Sequence, residues 1–285
     1  MTGSEYSNAK QDLEAFRIAG LPPDFYYISN FISVEEETSI LQKIPAQRWT
    51  YLSHRRLQAV PSTLTKNNTL LASPLPVYLT TPIVDHFKDL GIFDDTPHRQ
   101  PNHVLVNEYK PGQGIMPHED GDAYAPVVAT VSLGAPLCLD ILPKPSSSSS
   151  SSAAASAAEE DDNDDVNTSN HAQASHDEAK SHSPTPPARI TLPTRIYQEP
   201  RSLLVTSGSA YRHVMHGIAE RETDDDLHAA SVANWHLLGD TAPLKTSGGV
   251  STRGVRISLT YRDVLKVSTA ASKVLGGFGG NRRGG

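Results

Sequence analysis

Cysteine is almost absent from this 285-residue chain: Cys138 stands alone. An intramolecular disulfide framework is therefore excluded, and a reducing compartment suits the chain. Long apolar runs are missing too, and nothing approaches the roughly 18–20 residues that a membrane-spanning helix requires. The opening residues Met1-Thr2-Gly3-Ser4-Glu5 lack a basic stretch followed by an apolar one, so they do not read as a secretory signal. No internal repeat is apparent. The expectation from these absences is a soluble protein of cytoplasm and nucleus, with no membrane association. Oligomeric state leaves no trace in the sequence.

Charge is present but unevenly placed. Between Lys144 and Leu192 eight acidic residues face three basic ones, which accounts for five of the seven net negative charges. The remainder is close to neutral, so acidity argues neither for nor against a polyanionic substrate. A second acidic cluster, Asp224-Asp225-Asp226, is expected in a loop.

Pro145 to Pro187 carries a serine run, an alanine-rich patch, an acidic run and Ser-Pro-Thr-Pro-Pro. Such composition cannot bury enough apolar surface to offset backbone ordering, and it is too long for a loop inside a domain. It reads as a disordered insertion (145–187) between strands. Runs 127–133 and 137–142 precede it, and Arg189-Ile190-Thr191-Leu192 and 202–206 follow. Upstream, Ser33 and Glu36 form a capping box for a helix carrying Ile40, Leu41 and Ile44 that Pro45 stops. Pro76 to Leu90 is a second helix candidate, terminated at Gly91. From Asn102 onward short β-rich runs dominate. Helices followed by about eight strands predict a mainly β (α+β) fold, a jelly-roll sandwich with N-terminal helices packed against it. One domain is expected over 22–264, with a flexible start (1–21) and a flexible Gly/Arg-rich tail (265–285).

The chemistry sits in four places. His118-Glu119-Asp120 puts an imidazole and a carboxylate two apart. In extended chain both project to one side while Glu119 points away. His216 follows in Tyr211-Arg212-His213-Val214-Met215-His216. Three apart on a strand, His213 and His216 face opposite sides, and His216, beside Gly217 at a strand end, is the better ligand. Arg256 and Arg262 share a strand face with Ser258 and Thr260. Two imidazoles and a carboxylate on one face of an octahedral ion are the ligand set of a non-haem Fe(II) oxygenase, with three positions left open. The arginines offer a planar fork to a carboxylate, as 2-oxoglutarate would need. Asn107 and Tyr109, again two apart, are donors of the same kind. Taken singly, a polar turn after Pro117 and cross-strand salt bridges account for these residues better; their order and spacing together favour the metal site.

These motifs resemble the AlkB family of Fe(II)/2-oxoglutarate dioxygenases. Residues 102 to 134, from Asn-His-Val-Leu-Val-Asn-Glu-Tyr to Val-Ser-Leu-Gly, are especially similar to its homologue 6 branch. Pro200-Arg201-Ser202-Leu203-Leu204-Val205 and Met215-His216-Gly217-Ile218 agree with it. The resemblance covers about residues 22–143 and 189–264. It implies a double-stranded β-helix, with His118, Asp120 and His216 as iron ligands and Asn107, Tyr109, Arg256 and Arg262 as 2-oxoglutarate contacts. It further implies Fe(II), 2-oxoglutarate and O2 as the reacting set and oxidative demethylation of alkylated bases as the activity. The insertion and the segment between His216 and Arg256 are longer than that family's compact core requires.

Substrate is less legible. Trp49, Tyr51, His54, Arg55 and Arg56 interleave aromatics with cations and suit a lid that contacts single-stranded or flipped-base DNA or RNA. A solvated surface turn explains them as well. A member acting on a protein side chain, or a low-turnover member binding protein partners through the acidic insert, is the alternative. A binding cupin would share the jelly roll without needing Arg256 and Arg262.

Overall fold

The computed structural model describes residues 12–144 and 190–268. The insertion expected at 145–187 and most of the Gly/Arg tail lie outside the described residues. The strands are β1 (Phe25–Ile28), β2 (Thr50–Tyr51), β3 (Arg56–Val60), β4 (Thr69–Leu71), β5 (His103–Tyr109), β6 (Ile115–His118), β7 (Tyr124–Gly134), β8 (Leu137–Pro143), β9 (Thr194–Gln198), β10 (Leu203–Ser207), β11 (Val214–Ile218), β12 (Thr223–Asp224), β13 (Ser251–Thr252), β14 (Arg256–Val264) and β15 (Lys266–Ser268). The helices are α1 (Val34–Lys43), α2 (Val77–Thr80), α3 (Ile83–Leu90), α4 (Gly208–His213) and α5 (Ala242–Thr246). A seven-stranded antiparallel sheet, β1-β10-β7-β14-β5-β3-β2, faces a four-stranded one, β6-β11-β8-β9. This is the double-sheet jelly roll expected.

Side-chain alternation sorts the large sheet into two faces. On β14, Ile257, Leu259 and Tyr261 point outward to the helical layer, while Arg256, Ser258, Thr260 and Arg262 point between the sheets. The outward face packs Val104, Val106, Val131 and Leu133 against Ile40 of α1, Leu79 of α2 and Phe87 of α3. Tyr261 joins both layers: Phe87 meets its ring edge-on at 5.1 Å, and its hydroxyl donates to the Leu79 carbonyl at 2.8 Å. Each large apolar side chain so enclosed stabilises by roughly 1.5–3 kcal/mol. Between the sheets a second cluster gathers Phe25, Tyr27, Leu139, Ile141, Ile196 and Leu204.

The capping box forms as expected, Ser33 accepting from the Glu36 amide and Glu36 from that of Ser33. Gly91 closes α3 in the left-handed region at φ 67°. The single helix expected over 76–90 is in fact two. Pro82 has no amide hydrogen and forces Thr81 into extended backbone, so α2 ends before it. The strand expected at 189–192 begins instead at Thr194; Ile190 and Leu192 lie in irregular chain against the inter-sheet cluster. Tyr211 to His213 belong to α4 rather than to a strand.

The domain boundaries also move outward. The segment expected to be flexible up to residue 21 is docked from Asp12 on, because Ile18 and Leu21 insert into the inter-sheet cluster and Leu13 and Phe16 into the outer one. At the other end Lys266–Ser268 pairs in parallel with β4, so the fold continues four residues into the expected tail. The acidic cluster at 224–226 divides: Asp224 is buried, bound by two nitrogens of Arg253 at 2.8 and 2.7 Å, and accepts the Cys138 amide at 3.2 Å. That bidentate pair closes the long polar segment 219–253 on itself, and the Cys138 amide ties it to β8 of the small sheet. Removing either partner would strand the other charge in the interior at about 3–5 kcal/mol.

His103, at the start of β5, is 3% exposed. Its Nε2 meets the Ser62 carbonyl at 3.2 Å, and its Nδ1 is buried with no partner. Burial, and then the positive charge of Arg262, push its pKa down to about 4. The unfolded chain takes that proton near pH 6.5, so between pH 6.5 and 4 it binds more protons than the fold does. Stability is then full above pH 6.5 and declines as pH falls through the window, by about 3 kcal/mol at its acid end. His103→Gln keeps a donor for Ser62 and does not titrate. Its thermal midpoint should fall less than the wild type's between pH 7 and 4.5; parallel curves would contradict the assignment.

Candidate active site

Between the sheets lies a cavity of about 260 Å³. Its floor is the polar inner face of the large sheet. Arg256 on β14 pairs in register with Tyr109 on β5, and Ser258 with Asn107. On the other flank of β14, Ser258 lies opposite Ser132 of β7. The small sheet forms the roof with His118, His216, Leu139 and Ile141.

His118 and His216 are register partners across β6 and β11, their rings 4.5 Å apart and inclined at 56°. Gly217 permits the approach: a Cβ there would stand 3.0 Å from the Pro117 nitrogen and 3.2 Å from the Ile115 carbonyl. The register slips between His216 and Ile218, an irregularity of the kind that re-aims side chains beside functional sites. His118 Nδ1 is 3.0 Å from the Met116 carbonyl. In the tautomer that donates this bond, Nε2 keeps a free lone pair. Burial pushes His216 down to about 4 against the pull of Asp120, so its imidazole is neutral.

Asp120 follows β6 in a loop tied down by the Tyr211 hydroxyl, which donates to the Gly121 carbonyl at 2.8 Å. Its carboxylate, 4% exposed, accepts from Arg262 Nη2. Burial raises its pKa, but the Arg262 guanidinium, through its charge and its hydrogen bond, opposes this and the carboxyl ends below the usual range. Arg262 also lies over the Tyr124 ring at 5.0 Å, with Nε buried and unpartnered. The two imidazoles and the carboxylate thus line one cavity, yet Asp120 is turned toward Arg262. Among the described residues no three histidine, cysteine, aspartate or glutamate side chains close around a single point.

Arg256, expected beside Arg262 as one cationic stripe, is held quite differently. It is 2% exposed, and Nη2 donates to Ser132 Oγ at 2.9 Å and to Gln198 Oε1. Its Nε is buried without a partner. No carboxylate among the described residues pairs with it, and burial lowers its pKa to about 10, which leaves it charged at neutral pH.

The expected lid divides. Arg55 lines the cavity and donates from Nε to Asn107 Oδ1 at 3.3 Å. Arg56 pairs in register with Glu108 on the outer face, bonds its carboxylate at 2.6 Å and stacks on Trp49 at 4.4 Å. Trp49 packs on the outer core. Strand alternation therefore takes Arg56 and Trp49 away from the cavity, a correction to their expected substrate role. Tyr51 is 74% exposed beside Arg56. His54 reaches Glu220, just beyond β11, at 2.9 Å. His213 ends α4, exposed and bonded to the Ser209 carbonyl, which leaves His216 as the cavity histidine.

Sequence reasoning missed Ser132, Gln198, Tyr124 and Tyr211. The alternation Val128-x-Thr130-x-Ser132 on the inner face could have found Ser132. Nothing local marks Gln198, which follows the insertion.

A sequence profile of the 2OG-Fe(II) oxygenase superfamily matches residues 70–262. The chain is 34% identical over 266 residues to the probable RNA/DNA demethylase ALKBH6 of Danio rerio, covering 91% of this chain and 93% of that one. It is 24% identical over 268 residues to the tRNA (carboxymethyluridine(34)-5-O)-methyltransferase ALKBH8 of Macaca fascicularis, covering 90% of this chain and 32% of that longer protein. Superposition on the solved structure of OsALKBH1 gives a TM-score of 0.45 at 13% identity, over 85% of this chain and 97% of that one. The profile spans more than half of the sequence and the Danio rerio relative is matched nearly end to end, so this chain belongs to the 2OG-Fe(II) oxygenase superfamily and is a dioxygenase that works with Fe(II), 2-oxoglutarate and O2.

Proposed function

We propose that the chain oxidatively demethylates alkylated bases of DNA or RNA. In this reading His118, Asp120 and His216 hold the iron, and Arg256, Asn107 and Tyr109 hold 2-oxoglutarate. The observation that carries it is Arg256: a guanidinium sealed between the sheets with no counter-ion among the described residues, in the cavity that also holds the paired imidazoles. A buried charge without a partner is strongly unfavourable, and an anionic ligand is what relieves it.

The donor set fits the metal. His216 is neutral, His118 is free to present Nε2, and Asp120 is ionised. Arg262 then acts on the carboxylate as an outer partner, fixing its orientation as such partners do for ligating carboxylates. When bound, Fe(II) and 2-oxoglutarate supply the oxidation, in which O2 is consumed, 2-oxoglutarate becomes succinate and CO2, and an N-methyl carbon leaves as formaldehyde. The protein's part is to bind, orient and exclude water. Asn107 and Tyr109 present donors beside Arg256, and Leu139, Ile141, Val214 and Ile218 supply apolar walls that strengthen the charges between them.

A cavity of about 260 Å³ cannot take a duplex, so a base would have to leave its stack to reach it. Arg55 stands at its edge and exposed Tyr51 offers a stacking face nearby. The printed names of the Danio rerio and Macaca fascicularis relatives, one an RNA/DNA demethylase and one a tRNA enzyme, support a nucleic-acid substrate.

Formaldehyde release from methylated oligonucleotides, set against methylated peptides, tests the substrate class; release from peptides alone would overturn the nucleic-acid reading. Arg256→Gln should raise the KM for 2-oxoglutarate by about tenfold or more, the equivalent of one charge-assisted contact. An unchanged KM would remove Arg256 from the cosubstrate site. Arg55→Ala should weaken single-stranded oligonucleotide binding and reduce the salt slope by about one charge. Arg56→Ala should leave that slope alone and lower the thermal midpoint, since it breaks the pair with Glu108. The reverse pattern would mean the lid is placed wrongly.

A further inference from the structure

Among the described residues the Arg256 guanidinium hydrogen-bonds two neutral groups from two other strands, and it lies 5.9 Å over the Tyr109 ring. Ser132 on β7 donates from Oγ to Gln198 Oε1 at 2.9 Å, and Arg256 Nη2 donates to both. Ser132 and Gln198 are each 1% exposed. Because both neighbours donate, the amide of Gln198 is fixed with its oxygen, not its nitrogen, toward Arg256. The backbone just before it is fixed as well: buried Asn234 accepts the Tyr197 amide at 2.9 Å and donates to the Tyr197 carbonyl at 2.8 Å. Gln198 ends β9, so its carbonyl oxygen reaches the guanidinium from the small sheet while Arg256 rises from the large one.

We propose that Gln198 is the positioning residue of the cosubstrate site, a neutral acceptor that fixes Arg256 while leaving its positive charge for an anionic ligand. This rests on the assignment of Arg256 to the 2-oxoglutarate carboxylate. The choice of amide over acid is what matters. A glutamate has the same length and the same reach to Nη2, and would bond it more strongly. It would also supply the counter-ion that Arg256 lacks, and the cavity would lose its reason to take an anion. Gln198 thereby sets the charge of ligand that this end of the cavity accepts, without touching the reacting atoms.

The test is calorimetric titration of 2-oxoglutarate into the full-length chain loaded with Mn(II), beside thermal midpoints measured without ligand. Q198E should bind 2-oxoglutarate about tenfold or more weakly, with a midpoint equal to or above the wild type's, because the new carboxylate pairs with Arg256. Q198L, which removes the acceptor without adding charge, should lose less affinity than Q198E. Binding by Q198E within about threefold of wild type would overturn the proposal. So would a loss no greater than that of Q198L, or one accompanied by a fallen midpoint, since either marks a packing role. R256Q separates the two layers of the argument. If R256Q binds weakly while Q198E binds normally, only the role of Gln198 fails; if R256Q binds as well as wild type, the reading of Arg256 fails and this one with it.

Discussion

The ion pair between Asp120 and Arg262 is the contact on which the rest of the site depends. It crosses the cavity, joining the loop after β6 in the small sheet to the C-terminal part of the central strand β14 in the large one. Both side chains are almost wholly enclosed, so neither charge is tolerable alone. The pair therefore fixes the separation of the sheets at one end of the cavity, and with it the reach of His118, two residues before Asp120. The cluster of Arg256 with its two neutral partners, Ser132 and Gln198, does the corresponding work at the other end. One arginine of β14 is thus matched by a carboxylate and the other is left charged. The cavity consequently has a carboxylate-and-imidazole end and a cationic end, which is the polarity that a metal ion and a dicarboxylate together require.

β14 can carry both arginines because its other face pays no electrostatic penalty. Ile257, Leu259 and Tyr261 are buried under the helices, and the strand is flanked by β5 and β7 on both edges. A strand paired on both sides and covered on both faces cannot shift register without driving two guanidinium groups into the hydrocarbon layer. That constraint, more than any single bond, keeps the inner stripe in place. The N-terminal helices are therefore part of the site's rigidity although none of them contributes a residue to the cavity.

What was legible in the sequence is what local periodicity controls. The two-residue spacing of Asn107 and Tyr109, of His118 and Asp120, and of the polar residues between Arg256 and Arg262 places each set on one face, and the structure brings all of them to one cavity. The capping box at Ser33 and the glycine stop at Gly91 are likewise local. The failures share a cause: periodicity assigns a face but does not say what covers it. Arg55 and Arg56 look equivalent in sequence, yet only the register with Glu108 decides that Arg56 turns outward. Asp224 looks like the first of three solvated aspartates until Arg253, far along the chain, is folded against it. Gln198 lies beyond a long insertion, so nothing nearby could tie it to Arg256. The break of the helix at Pro82 is the exception, since its signal was present in the sequence.

A crystal of the chain grown with Mn(II) and 2-oxoglutarate, with the metal located by its anomalous scattering, tests the central claim most directly. The account requires a single manganese coordinated by His118, Asp120 and His216, with the remote carboxylate of 2-oxoglutarate seated on Arg256. Manganese bound elsewhere, or a carboxylate seated away from Arg256, would contradict it.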